Sequence, residues 1–315
     1  MPRLQRRSTG EDSLAEAIDT LTRDGAAAAT VEPLSDLSLP AARYLRKRWG
    51  DWPRSTRLAV VSEMASLGEE DVRFSFERAL LVALSDEDPD VRLAAVEALW
   101  ESEATALLNE LLRRADVETE TRVRRSLLRT IGRFARLAVE GRLDADQRRR
   151  IEELLVDAAL RDSSEDIQLE AMVAVAYLQP VAIASQIEDA YDQGHDEARE
   201  QALRAMGRFG GQQWSSRVID ALRAGDSDQR VEAARAAPYV EDRRVVPYLY
   251  EAAEDDERPD IQFAALRALG EIGGPEIRSF LEEMRDSTSG DVSQAADNAL
   301  GNASLLDGTG DGIPT

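Results

Sequence analysis

Apolar residues return along this chain at three- and four-residue spacing in runs separated by acidic turns, which is the pattern of amphipathic helices. Seven times a turn leads into a branched apolar or small residue, often an Arg or Gln, and then an Ala-rich run. These anchors are Val91-Arg92, Val123-Arg124, Ile167-Gln168, Ala198-Arg199, Gln229-Arg230, Ile261-Gln262 and Val292-Ser293, in steps of 32, 44, 31, 31, 32 and 31 residues. A fixed period of this size predicts a solenoid, in which no unit buries its apolar face alone and stacking completes the core.

The pattern predicts a helix from about Asp12 to Thr22 behind a mobile basic tail at 1–10, and helix pairs from Leu39 onward. Pro40 suits a first-turn position, Ala41 to Trp49 forms one helix, and Pro53 opens its partner, which runs to Leu67. The next pair is Phe74–Leu84 with Val91–Trp100, and Asp90 is placed to cap its second helix. Further pairs fall at 103–137, 147–178, 181–210, 213–240, 243–272 and 275–301. Gly132, Gly207, Gly270 and Gly301 are expected to end second helices in left-handed conformation, with Pro238 replacing glycine once. The 44-residue step places extra residues around Val139–Asp144, in a longer first helix or a protruding loop. The expected organisation is a tail and capping helix at 1–38, a solenoid of seven to eight pairs at 39–301, and a disordered tail at 302–315.

Composition agrees: aromatics are only 5%, as suits thin helix pairs filled by Ala, Leu and Val. No cysteine is present, so disulfides and thiolate metal sites are excluded. No stretch approaches 18 uncharged apolar residues, and the first residues lead into polar sequence, so the expectation is a cytoplasmic, monomeric protein without a membrane span. The net charge is -22, and among 39 basic residues only Lys47 is a lysine. That balance disfavours nucleic acid, because a strongly acidic surface repels phosphates. Genomic base composition, a salty interior or heat each account for arginine in place of lysine.

The segments Asp88-Pro89-Asp90-Val91-Arg92-Leu93-Ala94-Ala95 and Ala264-Ala265-Leu266-Arg267-Ala268-Leu269-Gly270-Glu271-Ile272-Gly273-Gly274-Pro275-Glu276 resemble HEAT repeats of the short type also found in phycobilisome lyases. The resemblance covers about residues 39–301 and implies an all-α, right-handed α-solenoid of antiparallel helix pairs. Signatures of ankyrin and tetratricopeptide repeats are missing. Proteins with such repeats include scaffolds, adaptors, lyase subunits and a few enzymes, so the resemblance bears on architecture more than on function. Deoxyhypusine hydroxylase, a HEAT-like di-iron enzyme, uses several His-Glu pairs, whereas His195 is the one histidine here and lies in an inter-helix turn as a solvated or capping residue. HEAT-like DNA glycosylases use a basic channel that this charge opposes, and nothing beyond the shared repeat points to the pigment of a phycobilin lyase. There is no Lys-bearing phosphate loop, no Gly-x-Ser-x-Gly elbow, and no Cys or His nucleophile system.

Two arginine patterns remain. The sixth residue after each anchor reads Glu97, Arg129, Val173, Arg204, Arg235, Arg267 and Asn298. The resemblance implies that second helices line the concave face, where Arg129, Arg204, Arg235 and Arg267, with Arg133 and Arg208 one turn on, would hold an acidic peptide or phosphorylated partner. Glu200 and Glu232 stand at pairing distance from Arg204 and Arg235 along the same helices. The second pattern is Arg43, Arg46, Lys47, Arg48, Arg54 and Arg57 against Asp51 alone, with Trp49 and Trp52 inside the cluster. It suits an acidic protein, a nucleic acid or an anionic surface, or else a terminal repeat whose tryptophans and arginine stems cover the end of the stack. The carboxyl end, Leu305 to Thr315, carries Asp-Gly pairs but too few carboxylates at ligand spacing for a calcium loop. These features predict a non-catalytic interaction scaffold or adaptor with a protein partner, no metal and no cofactor. The alternative is an accessory subunit of an enzyme such as a lyase, with the chemistry supplied by a bound cofactor or partner.

Overall fold

Leucine, valine, isoleucine and alanine on one face of each run drive helices together, and in the computed structural model, which describes residues 11–99, 102–255, 258–287 and 290–308, helices joined by short turns make up these segments. Helices α1 (Glu11–Asp24) and α2 (Ala28–Val31) precede eight helix pairs among the described residues. They are α3 (Leu39–Arg48) with α4 (Arg54–Glu70), α5 (Glu77–Ala83) with α6 (Pro89–Ala98), α7 (Thr105–Val117) with α8 (Thr121–Val139), and α9 (Ala145–Arg161) with α10 (Glu165–Val175). Then follow α11 (Val181–Asp192) with α12 (Asp196–Phe209), α13 (Ser215–Ala224) with α14 (Ser227–Ala236), α15 (Val246–Asp255) with α16 (Pro259–Ile272), and α17 (Pro275–Ser287) with α18 (Asp291–Gly308). This is an all-α solenoid, and none of its described helices is long and apolar enough to cross a membrane.

The chain divides into two compact units, Met1–Leu154 and Leu155–Thr315, the division falling within α9. In the first, α4, α6 and α8 stack in series, around Leu45, Val60, Leu84, Val91, Leu108, Leu127 and Phe134, each at most 1% exposed. Leu14, Ile18 and Leu21 of α1 are buried beside α2 and α3. In the second, α10, α12, α14, α16 and α18 form the series, around Ile167, Ile183, Leu203, Met206, Leu249, Leu266 and Leu281, all likewise sealed. Trp214, fully buried, meets the edge of Phe209 with ring centroids 5.6 Å apart. Each such side chain contributes about 1.5–3 kcal/mol relative to exposure.

The caps correct three sequence expectations. Asp88, not Asp90, caps α6: its Oδ1 accepts from the backbone N–H groups of Asp90 and Val91 at 2.9 and 3.3 Å, while Asp90 lies inside the helix and pairs with Arg54 and Arg122. Asp226 does the same for α14. The second correction concerns glycine. Gly132, Gly207, Gly270 and Gly301 lie inside α8, α12, α16 and α18. Left-handed residues come three positions after Gly207 and Gly270, at Gly210 and Gly273 with φ of 72 and 64°, and at the equivalent places after Ala176 and Pro238, at Gln179 and Glu241 with φ of 54 and 52°, whereas α8 and α18 run on past Gly132 and Gly301. Gly207 and Gly270 instead admit the next second helix. A Cβ on Gly207 would stand 3.0 Å from Ala236 Cα, and one on Gly270 would stand 2.7 Å from the Ala299 carbonyl oxygen. Third, α18 runs to Gly308, so residues 302–308 continue the last helix where a disordered tail was expected.

The long repeat step is taken up by two helices together, the 19 residues of α8 and the 17 of α9. Their junction closes with a reciprocal cap, in which Asp144 Oδ1 accepts from Gln147 N at 2.8 Å and Gln147 Oε1 from Asp144 N at 3.0 Å. The expected tails at 1–10 and 309–315 and the end of the helix at Trp100 lie outside the described residues.

Candidate functional site

The sixth residue after the anchor is exposed at Glu97, Arg129, Arg235, Arg267 and Asn298, half-buried at Arg204 and buried at Val173. In the second unit Arg204, Arg235 and Arg267 occupy that place on α12, α14 and α16, which pack in succession. Their partners differ. Arg204 reaches across to Glu232 on α14, with Nη2 2.9 Å from Oε1 and Nε 3.3 Å from Oε2, and Nη1 donates to Gln201 Oε1 at 3.2 Å. Arg235 reaches back along its own helix to the same Glu232, Nη1 to Oε1 at 2.8 Å. Arg267 binds Glu271 at 2.9 Å, and Glu271 also accepts from the Tyr239 hydroxyl at 3.0 Å. The Glu232 side chain is only 8% exposed, against 38% for Arg204, 60% for Arg235 and 73% for Arg267.

One carboxylate is thus shared by two guanidiniums. Burial alone would raise the pKa of Glu232, but hydrogen bonding and charge from Arg204, joined by Arg235, outweigh it and hold the group below the ordinary range. Arg204 pairs across helices with Glu232, 28 residues away, in place of the expected pairing with Glu200. Glu200 is instead held above the ordinary range by burial and by the nearby charges of Asp228 and Asp226.

Arg208 has a different position from the one expected. It is half-buried, its Nη1 donates to the Val173 carbonyl at 3.0 Å, and its guanidinium lies over the Tyr177 ring at 5.0 Å. Burial pushes its pKa down. It ties α12 to α10 and offers little to a partner. Arg129 and Arg133 lie on α8 in the first unit, exposed and half-buried respectively, and both are engaged with neighbours.

The cluster near the amino end resolves into paired and unpaired parts. Trp49 and Trp52 are 4% and 3% exposed and meet edge to face at 5.4 Å, so neither can stack on a ligand. Their indole N–H groups donate inward, Trp49 to Asp86 Oδ2 at 2.6 Å and Trp52 to Thr22 Oγ1 at 2.8 Å. Arg57, 6% exposed, faces Asp86 and Glu87. Arg54 pairs with Asp88 and Asp90, and Arg48 with Asp51 at 2.7 Å. Arg43, Arg46 and Lys47 stand exposed on α3. The arrangement is a tryptophan-sealed repeat edge with a cationic rim, and the aromatic–cation platform expected from sequence is absent from it.

His195 caps α12, its Nδ1 accepting from Ala198 N at 3.4 Å, with Nε2 3.3 Å from Glu165. Among the described residues no three His, Cys, Asp or Glu side chains gather as a metal site. Sequence reasoning missed the structural weight of Glu232 and Asp86. The third residue after each anchor reads Ala94, Ser126, Glu170, Gln201, Glu232, Ala264 and Ala295, and of its polar members Glu170, Gln201 and Glu232 are buried and Ser126 is half-buried. That column would have revealed the cross-helix acceptor.

A sequence model of HEAT repeats matches residues 39–134 and 215–301. Two solved structures show likeness across most of the chain. Human deoxyhypusine hydroxylase in complex with glycerol aligns over 94% of this chain and 97% of that one, at 15% identity and a TM-score of 0.36. An engineered protein aligns over 74% of this chain and 98% of that one, at 20% identity and a TM-score of 0.35. No curated protein matches the sequence. The matched segments cover more than half of the chain and carry the same helix-pair grammar in both units, and the protein therefore belongs to the HEAT-repeat family.

Proposed function

We propose that the protein is a non-catalytic interaction scaffold that grips an acidic segment of a partner protein on the second helices of its second unit. Arg235 and Arg267 are the principal contacts. The observation that carries this reading is a missing acceptor. Arg204 has a carboxylate waiting one repeat ahead at the third residue after the anchor, and Ala264 and Ala295 hold the equivalent positions one repeat ahead of Arg235 and Arg267. They turn instead to acids of their own helices and keep most of their guanidinium surface in solvent. The Arg267–Glu271 pair lies near the surface, where such pairs are worth about 0–1 kcal/mol, and buried Glu232 keeps Arg204 as a partner when Arg235 turns away, so exchanging either contact for a partner's carboxylate costs little. A planar guanidinium then gains a bidentate acceptor.

The test is affinity capture from the source cell with the wild-type chain and with the double variant Arg235→Glu, Arg267→Glu. Arg204 is left intact because it neutralises buried Glu232. The expected result is an acidic protein recovered stoichiometrically by the wild type and reduced at least about tenfold by the variant, with unchanged circular dichroism. Equal capture by both chains removes this site. A bound chromophore with no protein partner favours the accessory-subunit role instead.

A further inference from the structure

A groove of about 290 Å³ opens in the first unit between the turn after α3 and the turn after α5, lined among others by Arg46, Trp49, Arg57, Ser85, Asp86 and Glu87. Its wall holds donors that lack acceptors. The Arg57 guanidinium, with five N–H donors, is nearly sealed from solvent. Its Nη2 makes one long hydrogen bond to Glu87 Oε1 at 3.3 Å, and its Nε lies 3.4 Å from Asp86 Oδ2 without hydrogen-bond geometry. The Ser85 hydroxyl is also buried without a partner. Asp86 is committed elsewhere, with Oδ2 accepting from Trp49 Nε1 at 2.6 Å and Oδ1 from Asp88 N at 2.8 Å.

Glu87 is the movable acceptor: its side chain is 84% exposed and touches Arg57 from the rim. A buried donor without an acceptor is costly, and a guanidinium beside a hydroxyl matches a carboxylate. Arg43, Arg46 and Lys47, spaced to share one face of α3, extend positive charge about one helical turn beyond the groove. That length suits several carboxylates in a short segment. An extended polyanion would run onto the rest of a surface whose net charge is -22.

We propose that this groove receives an aspartate or glutamate side chain from an acidic segment of a partner protein. The carboxylate enters between Arg46 and Arg57, accepts from the Ser85 hydroxyl and displaces Glu87, while neighbouring acids of the segment meet Arg43 and Lys47. The site uses a different unit and different side chains from Arg235 and Arg267, so the two readings stand independently.

The test is fluorescence anisotropy on the full chain at about 0.1 M salt, with a fluorescein-labelled peptide of three consecutive glutamates flanked by glycines. Its all-glutamine counterpart and free succinate serve as competitors. The glutamate peptide is expected to bind and the glutamine peptide is not. Glu87→Gln should tighten binding about threefold by removing the internal competitor. Arg46→Glu, at an exposed position that leaves the fold intact by circular dichroism, should weaken it at least about tenfold. Arg235→Glu with Arg267→Glu, which removes any binding on the second unit, should leave the effects of Glu87→Gln and Arg46→Glu in place. No binding by the wild type, equal binding of the glutamine peptide, or an affinity that Glu87→Gln fails to raise or Arg46→Glu fails to lower overturns the proposal. Succinate competing as well as the peptide overturns the assignment to a protein segment and makes this a free-carboxylate site. Loss of peptide binding in the Arg235, Arg267 double variant places the interaction on the second unit and also overturns the groove.

Discussion

Gly270 and Gly301 hold the same place in successive repeats, yet their surroundings are opposite. A Cβ on Gly270 would press on the backbone of Ala299, while nothing stands within 4 Å of one on Gly301. Gly270→Ala is therefore expected to destabilise by about 1–3 kcal/mol through overpacking. Gly301→Ala is expected to stabilise by about 1 kcal/mol, because alanine is the better residue inside a helix. Urea denaturation of the two variants checks both signs, and a shared sign would show that helix propensity, and not close approach, governs this column. The sequence displays these glycines plainly, but their role was not legible from spacing near helix ends. The true left-handed positions include Gln179 and Glu241, residue types that do not announce a positive φ.

Between elements, the contact with the clearest electrostatic consequence is the bridge from α12 to α14 through Glu232. A carboxylate whose folded pKa is depressed stabilises the fold above its unfolded value of about 4.3, and that contribution is lost as pH falls through the lower folded value. Glu232→Gln should lower the unfolding free energy by about 1–3 kcal/mol at pH 7, and the gap from wild type should close below about pH 4. Denaturation midpoints across that range measure it, and a gap that persists in acid would assign the loss to packing. The helix pairs themselves were legible because the apolar spacing and the acidic turns repeat together. The bridge was not, because its two ends lie 28 residues apart and only a column-by-column comparison of repeats places them side by side. Trp49 and Trp52 were misjudged for a related reason: adjacency to arginines in sequence says nothing about which way an indole faces, and both face the core.

At the scale of the molecule, arginine–carboxylate pairs cover much of the surface, but a net charge of -22 leaves the acids in large excess. Salt weakens both the pairs and the repulsion, and the excess decides which effect wins. Raising potassium chloride from 0.1 to 1 M shortens the screening length from about 10 to about 3 Å, so the melting temperature should rise. A gain of about 1 kcal/mol corresponds to about 2–4 °C in a unit of this size. Calorimetry reads the shift, and a fall would show that paired charges outweigh the excess. The division into two units left little trace in sequence beyond the disturbed period between Val123 and Ile167, which brackets it. Lys47 closes the account at this scale. It is the chain's single side-chain amine, it is solvent-exposed, and it stands next to Arg46 at the groove. Amine-reactive crosslinking therefore has one side-chain address on this protein. A partner seated in the groove is expected to become covalently attached there, whereas α14 and α16 carry no side-chain amine of their own, so conjugation chemistry helps to separate the two docking modes.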